Sequence, residues 1–146
     1  MTLTTTIRTA LLSLTLAAAA VPAVAGGGSR LSVEQFGWQN ELGVAQHGGR
    51  NRLTVTQDGH RNTALSSQDG HRNRVVIGQA GGHHRADVLQ TGRCNVAGVA
   101  QFGRNNSATT TQSGRCNALG VIQSGRGNTA DVIQRGSGNV TVIVQD

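Results

Sequence analysis

From Ser29 onward the chain alternates apolar and polar residues in short runs, as in "SRLSVEQ" (29–35), "NRLTVTQ" (51–57) and "NTALSSQ" (62–68). With the leading Ser or Asn counted as zero, positions two and four are Ala, Val, Leu or Ile in 19 of 22 cases. Positions one, three and five are so in only 12 of 33. Period-two alternation predicts strands with one buried face. Every charged strand residue, from Arg30 to Asp131, falls on the odd positions, so those form the solvent face.

The runs keep an eleven-residue clock. Eleven of the twelve glutamines lie on it: Gln35, Gln46, Gln57, Gln68, Gln79, Gln90, Gln101, Gln112, Gln123, Gln134 and Gln145. Glycine follows two residues after each of the first ten, at Gly37, Gly48, Gly59, Gly70, Gly81, Gly92, Gly103, Gly114, Gly125 and Gly136. Nine of the ten asparagines come three residues later still, at Asn40, Asn51, Asn62, Asn73, Asn95, Asn106, Asn117, Asn128 and Asn139. The unit is QxGxxN plus five residues, with QxGxxN as the turn. Glycine there supplies backbone angles that other residues resist. The one lapse is "QAGGHH" (79–84), where His84 takes the Asn place and the extra Gly82 predicts a looser turn.

An eleven-residue period also fits a right-handed helical supercoil. Composition excludes it, because a helix would carry Gly at every beat at about 1 kcal/mol each relative to Ala. One strand and one turn per unit make two units a full coil, with strands on opposite walls. A 22-residue period follows in the inner residues. Position two reads Leu31, Leu53, Val75, Ala97, Leu119, Thr141 on one wall and Leu42, Ala64, Ala86, Ala108, Ala130 on the other. Position four of the first wall is β-branched throughout: Val33, Val55, Ile77, Val99, Val121, Ile143. Such ladders favour parallel, in-register stacking. The expected fold is all-β, a two-walled parallel β-solenoid of about five and a half 22-residue coils spaced ~4.8 Å apart.

Parity turns Gln and Asn inward with the apolar residues. A buried unpaired amide costs ~1–3 kcal/mol, whereas stacked amides bond to their copies one coil above and below. The expected stacking residues are therefore the on-beat glutamines and asparagines. The last run, "VTVIVQD", puts Val140, Val142 and Val144 on the outward positions. With no polar cap visible at either end of the repeats, the ends look made to stack.

The first 25 residues follow another plan. Arg8 precedes an apolar run from Ala10 to Ala20, and Ala23-Val24-Ala25 supplies small residues for cleavage, so residues 1–25 read as a removed signal peptide. The apolar run is shorter than the ~20 residues of a spanning helix, and the mature chain holds no such stretch. Residues 26–28 form a short Gly-rich leader, and 29–146 is the repeat domain. All 13 basic residues are Arg, and the formal charge is +6. No basic run accompanies it, so charge alone does not define a nucleic-acid binder.

The QxGxxN turns, the NxAxxxQ strand of "NTALSSQ" and the opening SxxxxxQ of "SRLSVEQ" together resemble the curlin repeat of bacterial curli subunits, over residues 29 to 146. The resemblance implies a structural subunit exported through the periplasm and an outer-membrane channel, a homopolymer with other curli-like subunits as partners. It implies extracellular functional amyloid fibres at the cell surface, serving adhesion and biofilm matrix. The leader is shorter than that of the family's major subunit, while Gln134, Gly136 and Asn139 keep the last motif intact, unlike the minor nucleating subunit. A fibre-forming subunit is the expectation; a nucleating subunit and a monomeric surface-binding solenoid are the alternatives.

Other chemistry is sparse. Cys94 and Cys116 occupy the same turn position, 22 residues apart, at a Cα spacing of ~5 Å that a disulfide tolerates. Free thiols and an intermolecular link fit the same pattern. Two cysteines without nearby histidines do not make a zinc site. Arg50, Arg72, Arg93 and Arg115 line one edge, where they discourage uncontrolled aggregation or hold the phosphates of extracellular DNA or lipopolysaccharide. The five histidines fall in turns at shifting positions. No paired acids, Ser/His/Asp set or phosphate loop is present, so neither an enzyme nor a cofactor is expected.

Overall fold

A computed structural model describes residues 27–146; the signal-peptide reading of residues 1–25 lies outside them. Eleven strands follow one another: β1 (Arg30–Trp38), β2 (Glu41–Gly49), β3 (Arg52–His60), β4 (Thr63–His71), β5 (Arg74–Gly82), β6 (Arg85–Arg93), β7 (Val96–Arg104), β8 (Ser107–Arg115), β9 (Ala118–Gln123), β10 (Thr129–Ser137) and β11 (Val140–Gln145). Odd strands form one parallel sheet of six, and even strands a second of five, each in sequence order. Every ladder pairs residue i with i+22, as in Leu53 with Val75 and Ala64 with Ala86. The expected two-walled β-solenoid is the observed fold.

The core is a thin slab between the walls. Leu53, Val55, Val75, Ile77, Ala97, Val99, Leu119 and Val121 of the odd sheet pack against Ala64, Ala86, Val88, Ala108, Ala130 and Val132 of the even sheet. Two hydroxyls break the apolar run of the even wall: Ser66 and Thr110 are buried, and neither Ser66 Oγ nor Thr110 Oγ1 has a hydrogen-bond partner. On the outside, Val140, Val142 and Val144 of β11 are exposed, together with Val96 and Ile122 of the same sheet.

The turns differ from the sequence reading in one respect. Most strands run for nine residues, through the Gln and Gly of the motif, so the ladder continues around the corner. Two left-handed residues bend each corner. One is the motif glycine, such as Gly70 at φ 120; the other is the residue just before the Asn position, such as Arg72 at φ 58. That second position is filled by Gln, Arg, His, Cys or Asn in eight corners and by Gly127 and Gly138 in the other two, so no one residue type marks it. The corner at 79–84 is not looser than the rest. His83 takes φ 61, Gly82 remains in β5, and His84 is buried.

Candidate functional site

The motif glutamines form two internal ladders. On the odd wall Gln57 Nε2 donates to Gln79 Oε1 at 2.8 Å, Gln79 to Gln101 at 2.9 Å, Gln101 to Gln123 at 2.8 Å and Gln123 to Gln145 at 2.8 Å. Gln35 begins this column by donating to Gln57. On the even wall Gln46, Gln68, Gln90, Gln112 and Gln134 link in the same way, at 2.7 to 3.1 Å. The second N–H of every interior amide but Gln112 crosses to a carbonyl of the opposite strand, as from Gln79 Nε2 to Thr63 O at 3.0 Å and from Gln101 to Arg85 O at 3.0 Å. Stacking thus gives each interior amide a glutamine partner on both sides, and the crossing bond satisfies the remaining N–H wherever it forms, which is the condition for keeping amides in an apolar slab.

Every Gln-to-Gln bond points the same way, with the N-terminal member donating. The ladders are therefore polar. Among the described residues, Gln35 and Gln46 receive no donor at Oε1, while Gln134 and Gln145 have no glutamine beyond them to accept from Nε2. Gln134 turns instead to Thr141 Oγ1 at 3.1 Å. The inner residues follow suit. Leu31 and Val33 of β1 are 51% and 39% exposed, whereas Leu53 and Val55, one coil along, are 0% exposed.

The asparagines correct the sequence expectation, since they do not ladder amide to amide. Asn73 Nδ2 donates to two carbonyls of its own edge, Asp69 O at 3.3 Å and Gly92 O at 3.0 Å. Its Oδ1 accepts the backbone N–H of Asn95 at 3.0 Å. The same pattern ties Asn51 to Asn73 and Asn106 to Asn128, each at 3.0 Å. Only Asn117 adds an amide-to-amide bond, to Asn95 Oδ1 at 3.2 Å. The shorter side chain stays within its corner and satisfies polar groups that bending the backbone strips from the ladder.

His84 reproduces this role with an imidazole. Its Nε2 bonds Ala80 O at 3.2 Å and its Nδ1 accepts the Asn106 N–H at 3.3 Å, which fixes the neutral form protonated at Nε2. Burial lowers its pKa from the ordinary value; the Ala80 and Gly103 backbone bonds oppose this, and the charge of His83 adds a smaller lowering. The motif glycines are required by contact as well as by angle. A Cβ on Gly92, at φ 109, would overlap the Gly114 carbonyl of the next coil.

The four arginines share one edge but stand in two adjacent columns. Arg50 and Arg72 continue directly into Cys94 and Cys116 at the left-handed position, while Arg93 and Arg115 pair in the column beside them. Together with His47 and His71 they line an open groove. Both thiols are exposed and unlinked. Interaction of the protonated Cys116 thiol with the neighbouring Cys94 side chain raises the Cys116 pKa, with desolvation and the charge of Cys94 adding to it and Arg115 and Arg93 pulling the other way.

The opposite edge carries a cluster that the sequence reading did not find. Trp38 and His60 stack at 5.1 Å, His83 meets His60 edge-on at 5.3 Å, and the Arg61 guanidinium lies 5.1 Å from the Trp38 ring centre. The available signal was the 22-residue step from Trp38 to His60. Among the described residues no helix is long and apolar enough to cross a membrane, and no cluster of three or more His, Cys, Asp or Glu has metal-ligand geometry.

The family model of the curlin associated repeat matches residues 48–81 and 85–114. Both stretches lie inside the described coils and contain the Gln, Gly and Asn columns. No curated protein matches the chain.

Proposed function

The chain belongs to the curlin-repeat family, and we propose that it is a structural subunit of secreted, curli-like amyloid fibres that grow by head-to-tail stacking of solenoids. Members of this family form extracellular surface fibres. The observation that carries the reading here is the polarity of the glutamine ladders. The unmatched amide oxygens on Gln35 and Gln46 are complementary to the amide donors of Gln145, which reaches only Thr129 O, and of Gln134, which holds Ala118 O and Thr141 Oγ1 in place of a glutamine acceptor. A second copy of the chain, stacked in the same direction, supplies each with its partner and covers the half-exposed Leu31 and Val33. Parallel sheets extend the backbone ladder in the same sense.

Export through the periplasm and an outer-membrane channel, with roles in adhesion and biofilm matrix, belongs to the same proposal. The groove beside Arg50, Arg72, Arg93 and Arg115 supports an anionic matrix partner such as extracellular DNA or lipopolysaccharide. Binding there weakens steeply with added salt. The test of assembly is the purified chain at micromolar concentration, followed by thioflavin fluorescence and fibre diffraction. Fibres with a ~4.8 Å meridional spacing are expected. A persistent, concentration-independent monomer refutes the reading and favours a surface-binding solenoid.

A further inference from the structure

Both cysteines of the chain stand at one place in the fold. Cys94 lies in the corner between β6 and β7, and Cys116 in the corner between β8 and β9, one coil further along the same edge. Both take the left-handed conformation, at φ 63 and 55. Their backbones are fixed in the stack: the Cys94 N–H donates to His71 O at 3.0 Å, and the Cys116 N–H to Arg93 O at 2.9 Å. The residues just before them, Arg93 and Arg115, are register partners at the ends of β6 and β8. A coil spacing of ~4.8 Å puts the two Cα atoms inside the 4.4–6.8 Å span of disulfides. Both thiols are free and exposed, and both line the same open groove one coil apart.

We propose that Cys94 and Cys116 are a redox-active pair that closes into an intramolecular disulfide and staples one coil of the solenoid. The oxidant is a small anionic disulfide of the oxidised-glutathione class, drawn to the groove by Arg93 and Arg115. One protein thiol gives up its proton, and the thiolate attacks a sulfur of the oxidant, breaking its S–S bond and releasing the first small thiol. The second protein thiolate then attacks the protein sulfur of the mixed disulfide and releases the second small thiol. The protein loses two electrons and two protons, which end on the two released thiols.

The location sets the consequence. The bond closes a ring of sequence from 94 to 116 that contains β7 and β8, one full coil. It lies in the corners, outside both glutamine ladders, so it forms without changing the buried hydrogen bonds. A reduced coil can peel away strand by strand, whereas a stapled coil opens only as a unit. In-chain closure is favoured over cross-linking because the second sulfur is held one coil away at high effective concentration. None of this depends on whether the chain polymerises.

The test is to expose the folded full chain to oxidised glutathione, trap remaining thiols with iodoacetamide and measure the intact mass. The expected product has lost the mass of two hydrogens and carries neither label nor glutathione. The Cys94→Ser variant should instead hold one stable glutathione adduct on Cys116. A parent chain with two alkylated thiols, two separate adducts, or a disulfide-linked dimer overturns the proposal. As a second readout, protease cleavage within 95–115 should slow by about thirtyfold or more on oxidation of the parent. The double variant Cys94→Ser/Cys116→Ser, folded by circular dichroism, should show no change on the same treatment. Equal protection in both chains also overturns it.

Discussion

Replacing Gln79 by Leu tests whether the amide ladder holds the solenoid together or merely fills it. Gln79 sits in the middle of the odd column, buried, and makes three bonds: it accepts from Gln57 and donates to Gln101 and Thr63 O. Leucine matches it in apolar bulk and makes none of them. Gln57 keeps two carbonyl partners, Glu41 O and Asn62 O, both at 3.1 Å, so its amide is not stranded. Gln101 Oε1 is stranded, since Gln79 is its donor, and a buried unsatisfied oxygen costs about 1–3 kcal/mol. The lost bond to Thr63 adds about 1 kcal/mol. The sum is about 3 kcal/mol. Urea unfolding followed by circular dichroism reads it directly: with a slope of about 2 kcal/mol per molar, the midpoint should fall by about 1.5 M. Gln145→Leu is the comparison. It removes one acceptor from Gln123, which retains Ser107 O at 3.0 Å, at a solvent-accessible end, and should cost about 1 kcal/mol or less. A Gln79→Leu midpoint within about 0.3 M of the parent would refute the ladder as a stabilising element. Assembly reverses the ranking: replacing Gln35 and Asn40, or Gln134 and Asn139, should slow fibre growth more than replacing Gln79, because the ends template the next chain. Equal slowing at both places sinks that part of the reasoning.

Other expectations follow from single sites. Gly92→Ala should destabilise by about 3 kcal/mol, since Ala is strained at φ 109 and its Cβ displaces the Gly114 carbonyl that accepts from Asn95. Gly78→Ala, on an outward strand position with open space, should be neutral or stabilise by up to about 1 kcal/mol, and equal losses at the two glycines in thermal melts would contradict this. Thr110→Val keeps the shape and removes the unpartnered buried hydroxyl, so it should raise stability by about 1 kcal/mol, and Ser66→Ala should act in the same direction; a lowered melting temperature for both would show that those hydroxyls have partners. His84 gives a pH dependence of definite sign. Its folded pKa lies below the ordinary value of about 6.5, so the unfolded chain binds more protons in that window. The His84 contribution is therefore complete above pH ~6.5 and is lost as pH falls from there through the lowered folded value. His84→Asn should remove this component, and stability profiles of equal slope for parent and variant between pH 7 and 5 would rule it out.

What the sequence determined by itself was everything with a fixed period. The alternation of Leu53, Val55 and Gln57 with Arg52, Thr54 and Thr56 settles which face is buried, because a strand sends successive side chains to opposite sides. The 22-residue recurrence of Val33, Val55 and Ile77 settles the register, since in-register stacking is the arrangement that superposes like on like. Only the tertiary structure decided what happens at the corners. The second left-handed residue has no fixed residue type, because Gln39, Arg50, His83 and Cys94 take it under the constraint of neighbouring coils as readily as Gly127 and Gly138 do. Gln and Asn look alike as buried amides in a sequence, yet they differ by one methylene. In space that methylene carries the Gln carboxamide into the slab, where it meets its copy, and leaves the Asn carboxamide at the backbone it came from. The same dependence on position, not composition, put His84 into an asparagine's role and brought Trp38, His60 and Arg61 together on one edge.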